Sequence, residues 1–154
     1  MSARFSRCRC YRYALWRCWG AGGQVLFVML NPSTADARDD DPTIRRCSAL
    51  ARDWGFGSLA VANLFAFRAT RPAVLKRASD PVGPRNDGWI ARLCGEADLV
   101  VAAWGNHGAY AGRAARVRST LSRPHHLGLN KTGEPAHPLY RPRHTRPREW
   151  EPLT

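Results

Sequence analysis

Three apolar runs and a shorter fourth strand segment punctuate the chain, and each ends in a polar, glycine- or proline-containing tip. Val25–Leu30 stops at Asn31-Pro32-Ser33, and residues 58–65 carry Asn63 near their end. Residues 98–104 stop at Gly105-Asn106-His107-Gly108, and a shorter run covers 125–129. Short continuous runs rich in β-branched residues read as strands buried on both faces. Pro32 cannot donate to a ladder, so the chain leaves the sheet there. Between the runs the period changes to that of a helix. Ile44, Cys47, Leu50, Ala51 and Trp54 fall on one face, after an Asp41 cap and Pro42 and before Gly55. Trp89, Ile90 and Leu93 form a second stripe in a helix begun at Asn86 or Asp87, and 72–78 forms a shorter one. A further helix is expected over about 109–122 with Arg113, Arg116 and Arg118 exposed. Residues 11–17 alternate and read as an edge strand.

Strands alternating with helices predict an α/β fold: three α/β/α layers around a small central, mainly parallel four-stranded sheet. One domain, 1–154, is expected, with basic segments at its N-terminal (1–19) and C-terminal (141–154) ends. If the strands are parallel their tips share one edge, where open α/β sheets bind ligands. Asn31, Asn63, Asn106, His107 and His137 would gather there.

Charge narrows the choice of ligand. Lys and Arg number 24 against 12 acidic residues, a net charge of +12. Such an imbalance favours a polyanionic partner, nucleic acid first. The acids gather in Asp36–Asp41, where capping and solvation explain them; adjacent Asp39–Asp41 cannot all converge on one ion, so no metal site is expected. Five cysteines, an odd number, argue against a disulfide framework, and Cys8-x-Cys10 with Cys18 matches no common zinc spacing. No run approaches the about 18 apolar residues of a membrane span, and the N-terminus lacks the apolar core of a signal peptide. A cytoplasmic monomer without a membrane partner is expected. No glycine-rich phosphate loop, nucleophile elbow or other cofactor motif occurs, so no cofactor is expected.

Amides, histidines and arginines remain, a set suited to a planar polar ligand such as a nucleobase. Each has a plainer reading: Asn31 as a turn cap, Asn63 as a satisfied core amide, His107 as the start of a helix, His137 as structural. Four tips, in order, resemble motifs of the uracil-DNA glycosylase superfamily: Leu30-Asn31-Pro32-Ser33, Val61-Ala62-Asn63-Leu64, Ala103-Trp104-Gly105-Asn106-His107 and His137-Pro138. More closely, Asn-Pro-Ser-Thr-Ala-Asp, Asp-Pro-Thr-Ile-Arg-Arg-Cys, Asn-Leu-Phe-Ala, Asp-Pro-Val-Gly-Pro, Ala-Trp-Gly and His-Pro-Leu-Tyr resemble the signature of an uncharacterised family of small bacterial and phage proteins, over roughly residues 11–150.

The glycosylase resemblance implies cleavage of the N-glycosidic bond of a flipped uracil or 5-substituted pyrimidine in DNA. By that resemblance Asn31 positions the attacking water and His137 donates a hydrogen bond to the departing base. Asn63 reads the base edge, with Ser33 and His107 beside it. Arg141, Arg143 and Arg68 would contact phosphates, and Leu139–Tyr140 would wedge into the stack. Ser33 is small where relatives carry an aromatic, which implies tolerance of 5-substituents. Phe65 and Trp104 are expected in the core. A non-catalytic nucleic-acid or modified-base binding module on the same fold, and an enzyme of free nucleosides or nucleotides, are the competing readings.

Overall fold

The computed structural model describes residues 1–152. Its centre is strand β3 (Gln24–Met29), where Val25, Leu26, Phe27 and Val28 have no exposed surface. Continuous apolar character is what a strand flanked on both sides and both faces requires. β3 pairs in parallel with β4 (Ser58–Asn63) on one side and β5 (Leu99–Ala102) on the other, and β5 pairs in parallel with the short β6 (His125–His126). These are the four strands expected from the sequence.

The sheet is nevertheless larger than expected, with seven strands in the order β1-β2-β4-β3-β5-β6-β7. β2 (Arg12–Cys18) runs antiparallel to β4, and β1 (Ser2–Phe5) folds back on β2. At the far edge β7 (Arg148–Glu149) pairs antiparallel with β6. Three of the six pairings are therefore antiparallel, and the expectation of a four-stranded, mainly parallel sheet is corrected. The physical reason is edge protection: both basic terminal segments cover what would be open edges of the parallel unit.

Helices cover both faces. Helix α1 (Pro42–Asp53) lays Ile44, Cys47, Leu50 and Ala51 on Val25, Phe27, Leu59, Val61 and Val101. Asp41 Oδ1 accepts from the Ile44 N–H at 2.9 Å, the expected cap, and Gly55 takes φ +90° after the helix. The other face packs Leu26, Val28, Ala60, Ala62, Val100 and Ala102 against α3 (Asn86–Glu96) and α4 (Arg113–Arg118). The short α2 (Pro72–Arg77) adds Leu75 to that layer.

The helix expected over 109–122 is corrected. A 3-10 segment, Asn106–Gly112, comes first, and Ala111 (φ +56°) and Gly112 (φ +68°) break it from α4. The turn carries Arg113 inward: only 5% exposed, it donates to Leu64 O at 2.8 Å and to Asp87 at 2.6 Å. The acidic loop is tied down as well. Asp36 Oδ1 accepts from Arg38 N and Asp39 N, which holds its carboxyl below the usual range. Buried Arg17 donates to Asp40 at 2.7 Å and to the Asp36 and Asp39 carbonyls. Among the described residues, no group of three or more His, Cys, Asp or Glu could hold a metal ion, and no helix is long and apolar enough to cross a membrane.

The five cysteines are free thiols. Hydrogen bonds from Ser6 and Cys10 bring exposed Cys8 down to about 7, whereas burial pushes Cys47 up. The thiolate is the reactive form. Iodoacetamide at neutral pH is therefore expected to alkylate Cys8 in the folded protein long before Cys47. Peptide mass spectrometry over a time course checks the order; equal rates would contradict it.

Candidate functional site

The chain's path marks where a ligand can enter. From β3 it passes through α1 to β4, then returns across the sheet through α3 to β5 on the other side of β3. The carboxyl ends of β3 and β5 thus diverge at a topological switch point, where doubly wound sheets hold their ligands. A crevice of about 490 Å³ opens there, within the usual range for small-molecule sites. Leu30 from the β3 tip, Trp104–His107 from the β5 tip, and Asn130, Ala136, His137, Tyr140 and Arg141 from beyond β6 line it.

Each wall has a local cause. Trp104, 1% exposed, packs against Trp150 at 5.8 Å between ring centroids and donates its indole N–H to Glu134 at 3.4 Å. Gly105 (φ +74°) turns the chain out of β5. Asn106 Oδ1 accepts from Asn130 Nδ2 at 2.9 Å and Thr132 Oγ1 at 2.6 Å, which ties the 130–134 loop to the β5 tip. Pro138 opens a single 3-10 turn, Pro138–Tyr140, and His137 Nδ1 accepts from the Leu139 N–H at 3.2 Å.

That bond fixes the imidazole's chemistry. With Nδ1 accepting, the neutral ring carries its proton on Nε2, and Nε2 has no partner among the described residues. Burial pushes the His137 pKa down, partly offset by the Asp41 carboxylate. His137 is accordingly a neutral donor at neutral pH. Arg141 Nε is buried and unpartnered, and its guanidinium lies so close to Gly128 that a Cβ there would stand 3.1 Å from Cζ. Tyr140, 82% exposed, stands at the rim with its ring centroid 5.7 Å from that of His137.

The pH dependence follows with its sign. The folded-state pKa of His137 lies below the ordinary His value of about 6.5, so on acidification the unfolded chain takes up the proton first. Its contribution to stability is present above that value and is lost as pH falls through it toward the folded pKa. NMR titration is expected to find the Nε2–H tautomer still neutral at pH 6.5. A charged ring at that pH would contradict the assignment.

The crevice brings together five of the site residues singled out in the sequence: Asn106, His107, His137, Tyr140 and Arg141. The others lie elsewhere. Asn31 follows Leu30, but its Nδ2 donates to Ala69 O at 2.7 Å and Pro32 O at 3.1 Å and so clamps the β3 tip to the 67–69 segment. Ser33 and Arg68 line a neighbouring depression of about 460 Å³. Arg143 is exposed outside the crevice lining. Asn63, opposite Met29 in the sheet register, is 1% exposed, and neither atom of its amide has a partner. It is neither a lining residue nor the satisfied core amide of the plainer reading.

Some lining residues went unassigned. Trp104 is in the core, as expected, and also forms part of the crevice lining. Asn130 and the accepting role of Asn106 had only a weak signal, the polar Asn-Lys-Thr-Gly turn.

Fold and crevice together define a doubly wound α/β domain with an open crevice at its switch point. The chain belongs to the family described as protein of unknown function (DUF1643), whose model matches residues 12–139. The match runs from β2 through the His137 turn and leaves out β1 and β7. No curated protein and no solved structure matches the chain.

Proposed function

We propose that this protein binds nucleic acid, DNA in the first instance, and takes one unstacked base into the crevice between the β3 and β5 tips. The observation that carries the reading is His137. It is a neutral imidazole with its acceptor nitrogen occupied by Leu139 N–H, which leaves Nε2–H as a fixed donor at a switch-point crevice. A pyrimidine carbonyl accepts from such a donor. Tyr140 supplies ring surface, and Arg141 a cation, for a base and its backbone. The net charge of +12 supplies the sequence-independent part of the affinity.

A second reading, hydrolysis of the N-glycosidic bond of uracil or a 5-substituted pyrimidine, is favoured by one observation. Asn31 uses its Nδ2 in the loop clamp, while its Oδ1 accepts from no group among the described residues. That oxygen can hold a water beside the β3 tip. Water would add to the sugar carbon as the glycosidic pair leaves with the base. His137 would stabilise the anionic base until it takes the proton released by the water. Loss of such a donor costs about 10²–10³ in rate.

One set of incubations tests both readings. The protein is mixed with oligonucleotides bearing uracil, thymine mismatches or 5-modified pyrimidines, and affinity and abasic sites are scored together. Base-dependent affinity lost in His137→Ala supports the binding reading, and abasic sites lost in Asn31→Ala support hydrolysis. Affinity indifferent to the base and to His137 would overturn the base-pocket reading.

A further inference from the structure

An indentation larger than the crevice lies elsewhere on the described residues. It is a groove of about 900 Å³ between β1 and the start of α3. Arg4, Arg7 and Arg85 line it together with Phe5, Tyr11 and Trp89, and none of its ten lining residues is acidic. Cationic and aromatic side chains interleave in it. Arg4 stacks 5.7 Å from the Trp89 ring centroid, and Phe5 has the guanidiniums of Arg9 and Arg68 at 4.1 and 4.8 Å. Arg7 and Arg85 make no side-chain hydrogen bond or ion pair among the described residues. The acids nearest by contact are engaged elsewhere: Asp80 accepts from Gly83 N at 3.1 Å, and Asp87 holds Arg113.

The groove's place in the fold adds a second argument. β2 runs antiparallel to β4, so its first residues lie at the carboxyl edge of β4, where Tyr11 bridges Phe67. Arg68 N donates to Cys10 O at 2.9 Å, which places the depression lined by Arg9, Ser33 and Arg68 directly beside it. Groove, depression and crevice therefore succeed one another along one edge of the sheet, in strand order from β1 to β6. Five strand spacings of about 4.8 Å make that path about 24 Å long.

We infer that the groove between β1 and α3 binds an unpaired strand of nucleic acid, whose path continues along the carboxyl edge toward the crevice. Unpaired bases stack on aromatic rings and on guanidinium planes, whereas a basic groove tracks the backbone; this combination is how single strands are held without sequence preference. A duplex hides the base faces that Phe5, Tyr11 and Trp89 would meet. The inference rests on the crevice reading only for where the strand leads; the affinity of the groove does not depend on it.

The test is a fluorescence-anisotropy titration of the full chain with a labelled oligothymidylate of about 12 nucleotides, repeated across salt concentrations. The variants are Arg4→Glu/Arg7→Glu/Arg85→Glu, the milder Arg7→Ala/Arg85→Ala, His137→Ala and Arg116→Ala. The triple variant is expected to bind at least about tenfold more weakly at low salt, with its salt slope reduced by about 2, the value for three lost contacts to a single strand. The double variant shows the same effect in part and keeps the test open should the triple variant unfold. His137→Ala reports on the crevice alone, whereas Arg116→Ala, an exposed cation that lines neither groove nor crevice, is expected to keep most of the oligothymidylate affinity. Groove variants that bind like wild type overturn the inference, even where His137→Ala loses base-dependent affinity and the crevice reading stands. Polyglutamate that competes as well as the oligonucleotide overturns it in favour of an acidic polypeptide. Absence of any binding by the wild type overturns this inference and the crevice reading together.

Discussion

Gly108→Ala is expected to cost about 2–3 kcal/mol of stability and about 5–10 °C in melting temperature for a chain of this size. A Cβ at residue 108 would overlap the Trp104 indole at Cδ1. Trp104 cannot yield easily, because Trp150 packs on its ring and Glu134 holds its N–H. Either the ring or the 3-10 segment Asn106–Gly112 must shift, and both carry lining residues of the crevice. The same variant is therefore expected to weaken base-dependent binding while leaving affinity at the β1 groove unchanged. Scanning calorimetry with an oligonucleotide titration checks both parts; an unaltered melting temperature would mean that the wall yields freely.

Asp41→Ala is expected to cost about 3 kcal/mol, with two causes that Asp41→Asn separates. The first is the cap on α1, worth about 1 kcal/mol, which an asparagine amide oxygen restores. The second is charge. Arg12 is 2% exposed, with burial pulling its pKa down to about 10 against the support of the Asp41 carboxylate. Among the described residues its guanidinium makes one hydrogen bond, to Ala35 O at 3.0 Å, and its Nε is unpartnered. Removing the carboxylate takes an opposing charge from a buried cation left with the Ala35 carbonyl, the costly direction for a buried charge. Denaturant titration is expected to rank wild type above Asp41→Asn and Asp41→Asn above Asp41→Ala. Equal losses in the two variants would show that the cap contributes nothing. Because Asp41 also supports the proton on His137, Asp41→Asn is expected to lower the His137 pKa further.

What could be read from the residues follows from how local each signal is. Three of the four parallel strands, β3, β4 and β5, announce themselves as continuous apolar runs, and α1 by an Asp-Pro start, a 3.6-residue stripe and a closing glycine. Both kinds of signal lie within a dozen residues. β1 and β7 do not announce themselves. They are short and largely exposed, and only the strands they meet, β2 and β6, make them strands. Arg113 reads as a solvent-facing cation in a helix. Its inward turn depends on left-handed Ala111 and Gly112 and on acceptors 26 and 49 residues away.

The site divides the same way. His107 reaches the crevice because β5 delivers its tip to the common edge, whereas His137 and Arg141 follow the loop beyond β6 that Gly105 N–H ties down at Pro135 O. Which face Asn63 takes does not follow, because a shift of one residue in a strand exchanges the faces. Asn31 reaches the right edge, yet its amide closes a loop, a choice set by the Ala69 carbonyl 38 residues on.

The central claim is that a base enters between the β3 and β5 tips. Photocrosslinking tests it most directly, with an oligonucleotide bearing a single 5-iodouracil and the adducts mapped by mass spectrometry. Adducts are expected on His137 or Tyr140, lost when an unmodified uracil oligonucleotide competes. Adducts confined to residues away from the crevice would contradict it.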